Sequence, residues 1–208
     1  MIEKSINNDI YYTLAKPHRA EIKIKGSSFI ASVCSVNTKT DAMLFLDTIR
    51  SEFFDATHNC FAYQIGHNGL EYRFSDDGEP NGTAGKPILF TLKKYDVSDV
   101  ICVVTRYFGG TKLGVGGLSK AYQESAAAAL AECERKPIHI TQKINIYCTY
   151  EIINVIKRLI SQYAVSFTET YQDTIDISAE VHKSKADEFI QQIITLTNGK
   201  ATGIKVKE

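Results

Sequence analysis

The sequence predicts an α+β chain of two successive domains, 1–136 and 137–208. Three observations carry this. An apolar strand, Asp99 to Phe108, empties into a glycine-dense loop that opens a helix over Leu118 to Cys133. A charged break ending in proline, Glu134-Arg135-Lys136-Pro137, follows that helix. Beyond the break the apolar pattern reads strand, helix, strand, strand, helix, strand, the order of a ferredoxin-like βαββαβ domain.

In chain order, Tyr11 to Ala15, Glu21 to Lys25 and Ser28 to Val36 read as strands, the last two separated by a turn at Gly26. Thr38 with Asp41 three residues on makes a capping-box start for a helix ending near Phe54, with Ala42, Phe45, Leu46, Ile49 and Phe53 on one face. Cys60 to Ile65 is a strand. A short hairpin through His67-Asn68-Gly69 leads from it to Tyr72 and Phe74. Pro87 suits the first turn of a helix closed by Lys93-Lys94, and Ile101 to Val104 has the unbroken apolar run of a central strand.

In the second domain Ile138 to Tyr150 is the first strand, and Glu151 to Gln162 is a helix facing inward with Ile152, Val155, Ile156, Leu159 and Ile160. Val165, Phe167, Glu169 and Tyr171 share one side of the next strand, and Ile175, Ile177, Ala179 and Val181 alternate along the third. Ser184 with Asp187 is expected to cap a last helix whose Phe189, Ile190, Ile193 and Ile194 face inward. Asn198-Gly199 ends that helix before an edge strand, Ala201 to Val206.

The loop Gly109-Gly110-Thr111-Lys112-Leu113-Gly114-Val115-Gly116-Gly117 has two readings. Its glycines let backbone amides approach a ligand, the helix beyond points its N-terminus at them, and Lys112 and Lys120 add charge, which together make an anion cradle. Equally, it is a tight strand-to-helix connection. Neither the P-loop nor the dinucleotide fingerprint fits, because Lys112 lies between Thr111 and Leu113 and the third fingerprint position falls on Ser119.

Residues 75–87, SDDGEPNGTAGKP, form a second irregular stretch whose Asp76, Asp77 and Glu79 suggest either a cation site or an acidic surface turn; calcium-loop spacing is absent. His58 and Cys60 invite a catalytic or metal reading. A structural role is favoured for both, because Cys60 heads an apolar strand and the histidine has no evident orienting partner.

Lys plus Arg number 24 and Asp plus Glu number 24, eight of each sign beyond residue 136, so neither domain advertises nucleic acid by its net charge. Five scattered cysteines without a C-x-x-C pair suit reduced thiols in the cytoplasm. The polar N-terminal stretch lacks a signal-peptide core, and no apolar run approaches the roughly 20 residues of a membrane span.

The segments SDDGEPNGTAGKPIL (75–89) and VVTRYFGGTKLGVGGLSKAY (103–122), supported by KGSSFIAS (25–32) and ATHNCFAYQIG (56–66), resemble the IMPACT/YigZ family. The resemblance implies an N-terminal domain like the second domain of a small-subunit ribosomal protein and the last-but-one domain of elongation factor G. It also implies a link to translation control, since eukaryotic relatives restrain the amino-acid-starvation response by binding a large ribosome-associated activator.

Two functions follow. The first is a non-enzymatic, translation-linked regulator or binding module that engages RNA, the ribosome or a translation-factor partner, with no cofactor and no metal. Its site would comprise Arg106, Gly109, Gly110, Lys112, Gly114, Gly116 and Lys120, with Asp76, Asp77 and Glu79 folded back beside Arg106 and Lys112. Arg106, Lys112 and Lys120 are expected at element ends or exposed turns, removable without unfolding the domain. The second is an enzyme acting on a phosphorylated small molecule or nucleotide through the same loop; against it, no oriented nucleophile and base can be named, and the Gly-Leu-x-Ser-Ser signature of small-molecule kinases is not reproduced.

Overall fold

The computed structural model of the chain describes residues 9–206, and the polar segment 1–8 lies outside them. The chain divides into two compact units, Tyr11–Ile138 and a second comprising His139 onward with the segment up to Ile10.

The first unit is built on a five-stranded antiparallel sheet in the order β2-β3-β6-β4-β5. These strands are β2 (His18–Ile24), β3 (Ser27–Ser35), β4 (His58–Ile65), β5 (Glu71–Ser75) and β6 (Val100–Tyr107). Helix α1 (Lys39–Glu52) lays Ala42, Leu46 and Ile49 on one face, against Phe61, Tyr63, Ile101 and Val103. Helices α2 (Gly85–Lys94) and α3 (Gly114–Ala131) cover the other, packing Ile88, Leu92, Ala121, Tyr122 and Ala126 on Phe29, Ala31, Cys60, Ala62, Cys102 and Val104. Strand β6 is therefore buried on both faces, and each fully buried Leu or Ile of these layers is worth about 1.5–3 kcal/mol.

The reciprocal Thr38–Asp41 bonds of the capping box start α1. Strands β3 and β4 run parallel on either side of β6, and β5 and β6 run parallel on either side of β4. Their helical crossovers, α1 and α2, lie on opposite faces, so the two crossovers have opposite hands and one of them is left-handed, which is rare.

Strand β1 (Ile10–Leu14) pairs with β7 (Arg135–His139) in a two-stranded ribbon. The continuous strand expected over Ile138 to Tyr150 is thus two, because the backbone changes partner: β7 bonds to β1, while β8 (Thr141–Cys148) bonds to β10 (Ile175–His182). At the break, the Ile140 amide donates to the Asp9 carbonyl and the Ile140 carbonyl accepts from the Lys183 amide.

The second unit is a four-stranded antiparallel sheet in the order β11-β8-β10-β9, with β9 spanning Ala164–Tyr171 and β11 Gly203–Lys205. Helices α4 (Ile153–Tyr163) and α5 (Ala186–Leu196) pack Ile156, Leu159, Ile160, Phe189 and Ile193 on Ile144, Ile146, Ile175, Ile177, Ala179 and Val181. Two expectations fail here. Ile194 is exposed rather than inward, since the helix turns it past the buried stripe of Phe189 and Ile193. Ser184 does not cap α5, because its amide donates 2.9 Å to Asp9 Oδ1 and its hydroxyl to Asp9 Oδ2, leaving Lys185 as an N-cap without a side-chain bond.

Asp9 is buried. Burial pushes its carboxyl upward, but the Ser184 bonds and the His182 and Lys185 charges more than offset this, so the net direction is below the ordinary carboxylate value. A lowered value means the ionised form stabilises the fold: the contribution is complete above about pH 4 and fades as pH falls through the lowered value. Replacing Asp9 by Ala is expected to destabilise the second unit by about 1–3 kcal/mol at neutral pH. Urea unfolding at neutral and strongly acidic pH checks this, the difference between the proteins shrinking in acid.

Candidate functional site

The site lies at one end of the first sheet, on the face that α2 and α3 cover. Alternation that buries Val104 and Cys102 brings Arg106 to the same face at the end of β6, and the same alternation brings His58 there from β4 and Ser27 from β3. His58 and Phe29 are the cross-strand partners of Arg106. Tyr122 arrives from α3, one turn beyond Leu118 on its buried stripe.

Glu79 joins them from the irregular stretch. Its Oε1 accepts at 2.5 Å from Arg106 Nη1 and at 2.8 Å from Tyr122 Oη, and His58 Nε2 stands 4.0 Å away. Arg106 is only 5% exposed, and its Nε has no hydrogen-bond partner among the described residues. The guanidinium lies 5.4 Å from the Phe29 ring centroid and 5.5 Å from that of Phe108, with Ser27 Oγ 3.5 Å from Nη2.

The other two acids serve the backbone. Asp76 Oδ1 accepts from the Ala84 and Gly85 amides, both at 2.9 Å, and Oδ2 from Gly82, so this carboxylate caps α2 from outside the helix. Asp77 takes the Asn59 amide at 2.7 Å and Arg50 Nη2 at 3.0 Å. Of the expected grouping, then, Glu79 meets Arg106, while Asp76 and Asp77 are engaged elsewhere. Lys112 makes no ion pair among the described residues. Among those residues no group of three or more His, Cys, Asp or Glu is placed to hold a metal ion.

The expectation that Arg106 is a removable surface cation is corrected, because it is a buried partner of a carboxylate. The expected nine-residue glycine loop is shorter. Helix α3 starts at Gly114 rather than Leu118, taking Gly114, Gly116 and Gly117 into its first turn, so the connection is Phe108 to Leu113. Gly109 sits against Gly26, where a Cβ at 109 would lie 1.9 Å from the Gly26 carbonyl carbon. Its amide donates to Ser27 Oγ at 3.1 Å, fixing the base of the loop. Gly110 and Gly114 have φ of +85° and +72°. Lys112 and Lys120 are exposed, Lys120 within 3.7 Å of Glu124 one turn on, and Phe108 is 48% exposed.

The groups that sequence reasoning overlooked are Tyr122, Ser27 and Gly26. Tyr122 had a signal: it is the one large polar-tipped side chain on a buried helical stripe otherwise made of Leu, Ala and Ser. His58 has the orienting partner that sequence could not show, for Nδ1 lies 2.7 Å from the Asp77 carbonyl, which makes it the donor and leaves Nε2 facing Glu79. Cys60 has the structural role favoured for it. Its Sγ donates to the Asp76 carbonyl at 3.0 Å, and burial pushes the thiol far above its ordinary value. Burial, reinforced by Cys60 and Glu79, does the same to the Tyr122 phenol.

Breaking a buried ion pair leaves one charge uncompensated. Glu79→Ala and Arg106→Ala are each expected to cost about 3–5 kcal/mol of stability. The double variant is expected to cost less than their sum by about 0.5–3 kcal/mol. Denaturant unfolding of the three proteins measures this; strict additivity would exclude a coupled pair.

Residues 25–130, which hold all these groups, match the Impact N-terminal domain family, and residues 146–200 match a domain of unknown function, DUF1949. The chain is 36% identical over 195 residues to the IMPACT family member YvyE of Bacillus subtilis (strain 168), covering 92% of this chain and 88% of that one. It is 31% identical over 197 residues to the IMPACT family member YigZ of Escherichia coli (strain K12), covering 93% and 97%. A match to the protein IMPACT homolog of Dictyostelium discoideum, 36% identical over 94 residues, covers 43% of this chain and 27% of that protein. A crystal structure of a hypothetical protein, 30% identical, superposes with a TM-score of 0.68 over 96% of this chain and 98% of the other. With two bacterial relatives aligned along nearly their whole lengths and the site segments inside the matched domain, the chain belongs to the IMPACT family.

Proposed function

We propose that this chain is a translation-linked binding module rather than an enzyme, and that it engages RNA, as on the ribosome, through the Phe108–Leu113 loop and the first turn of α3. Gly116 carries the reading. It lies inside α3 without a positive φ, and a Cβ there would meet nothing within 4 Å, so neither backbone nor packing in this chain calls for glycine. A helical glycine costs up to about 1 kcal/mol relative to alanine. Room kept at that cost suits close approach of a ligand backbone.

The surroundings fit phosphate and base. The N-terminal amides of α3 have no side-chain cap, Lys112 and Lys120 flank them, and exposed Phe108 offers a stacking surface. Arg106 acts from beneath, holding Glu79 and packing on Phe108, rather than touching phosphate. The fold reading goes with this: the β11-β8-β10-β9 order of a βαββαβ chain supports the ferredoxin-like assignment, and the left-handed crossover supports a first domain like that of the ribosomal protein. An enzyme acting on a phosphorylated small molecule is the second reading, favoured by the oriented Nε2 of His58 opposite Glu79; a nucleotide-hydrolysis screen separates the two.

With two surface cations, the logarithmic salt slope is expected near −1.8 on duplexes and about −1.4 on single strands. Changing Lys112 and Lys120 together to Ala is expected to weaken RNA binding about tenfold or more at low salt. Gly116→Ala is expected to stabilise the fold by a few tenths to about 1 kcal/mol while weakening binding. Titrations of labelled RNA at two salt concentrations, beside thermal unfolding, decide. Equal affinities for wild type and both variants would remove the RNA site and leave a protein-binding regulator.

A further inference from the structure

Helices α4 and α5 cover one face of the second sheet and leave the other without a helix. Alternation that turns Ile144, Ile146, Ile175 and Ile177 towards the helices turns Asn145, Tyr147, Asp176 and Ser178 away from them. The registers set these residues in two rungs across three strands. Tyr147 of β8, Asp176 of β10 and Thr170 of β9 form one, and Asn145, Ser178 and Thr168 form the next. Together the two rungs line a shallow hollow of about 230 Å³.

An open antiparallel face is normally polar, and polarity alone marks no site. Three observations set these rungs apart. Asp176 carries the only charge in the hollow, and the unit's ion pairs, Lys157–Glu169 among them, leave it without a partner among the described residues. Directly opposite it on β8 stands Tyr147, whose side chain is 51% exposed. Beside them, Asn145 Oδ1 is buried and has no hydrogen-bond partner among the described residues. A carboxylate and an amide oxygen both accept hydrogens, so the hollow calls for a donor, and the open ring suits a cation over its face. A guanidinium answers both needs. It is planar, donates five hydrogens, accepts none, meets a carboxylate with two parallel bonds and stacks on an aromatic ring, being more weakly hydrated than an ammonium. The hollow is lined by no cation, so the α-carboxylate of a free amino acid finds no counter-charge in it. Ile204, opposite Asn145 on β11 and exposed, adds an apolar rim along which an aliphatic stem can lie.

We propose that this open face binds the guanidinium of an arginine carried by a partner's peptide chain, paired to Asp176, stacked on Tyr147 and donating to Asn145 Oδ1. Every residue of the site belongs to the second unit, so the proposal stands independently of the RNA reading.

Titration of the isotope-labelled full chain with N-acetyl-arginine amide, followed by backbone amide NMR shifts, tests this. The expected result is saturable binding with shifts gathered at Asn145, Tyr147, Asp176 and Ser178. N-acetyl-lysine amide is expected to bind at least about tenfold more weakly, because its ammonium is a strongly hydrated point charge without a flat face. Asp176→Asn and Tyr147→Leu are each expected to weaken binding about tenfold or more and to leave the unfolding midpoint unchanged, since both side chains are exposed. Absent or scattered shifts, equal binding of the lysine compound, or wild-type affinity in either folded variant would each overturn the proposal. Free arginine binding more tightly than the capped form would overturn the peptide source.

Discussion

The arrangement of the first unit turns on one buried ion pair. Glu79 and Arg106 are both nearly inaccessible, and a carboxylate and a guanidinium are stable there only when each satisfies the other in good geometry. That requirement ties the irregular segment after β5 to the end of the central strand, and through Tyr122 to the middle of α3. Once Glu79 is fixed, Asp76, three residues earlier and joined to it by one turn, is held where α2 begins, and its carboxylate supplies the cap that the sequence around Ala84 lacks. Asp77, with φ of +43°, then reaches the Asn59 amide and Arg50. The acidic stretch is a connector whose three carboxylates are each spent inside the fold.

This has an electrostatic consequence at the surface. Acids placed beside Lys112 would have neutralised it and competed with a bound anion. With Glu79 paired to Arg106 and Asp77 to Arg50, the loop keeps an exposed lysine above a base that is internally charge-balanced. Rigidity follows from the same contacts. The Gly26–Gly109 approach and the Ser27 bond fix where the loop leaves β6, so Phe108 is presented from a defined position.

How much of this the sequence disclosed depended on the range of the interactions. Local ones were legible: the Thr38–Asp41 capping box, the alternation of Ile175, Ile177, Ala179 and Val181, and the apolar run Ile101 to Val104 all took the form their spacing implied. Ser184 has the same local signature as Thr38, yet Asp9, 175 residues away, takes both its bonding groups. The break at Ile140 and the start of α2 likewise depend on partners distant in sequence. The handedness of the crossovers is not written in periodicity at all, since it depends on which face each helix covers. In the site, the loop and its lysines were legible as exposed polar sequence, whereas the burial of Arg106 was not. An arginine at a strand exit looks the same whether its carboxylate partner comes from 27 residues upstream or from no residue at all.

The start of α3 was misjudged for a different reason. Glycines at 114, 116 and 117 argue against helix on propensity, and the helix forms there regardless because Leu118, Ala121 and Tyr122 anchor it on the sheet. Tertiary packing can carry an unfavourable first turn, but it does not explain why the turn is unfavourable. At Gly117 there is a steric reason, since a Cβ would come within 3.2 Å of Leu113, and at Gly114 a backbone one. Gly116 has neither. Gly116 breaks the propensity rule at a helix start that is also uncapped, lysine-flanked and solvent-facing. The unexplained glycine thus lies on an exposed surface above a base held firmly by the Gly26–Gly109 approach and the Glu79–Arg106 pair.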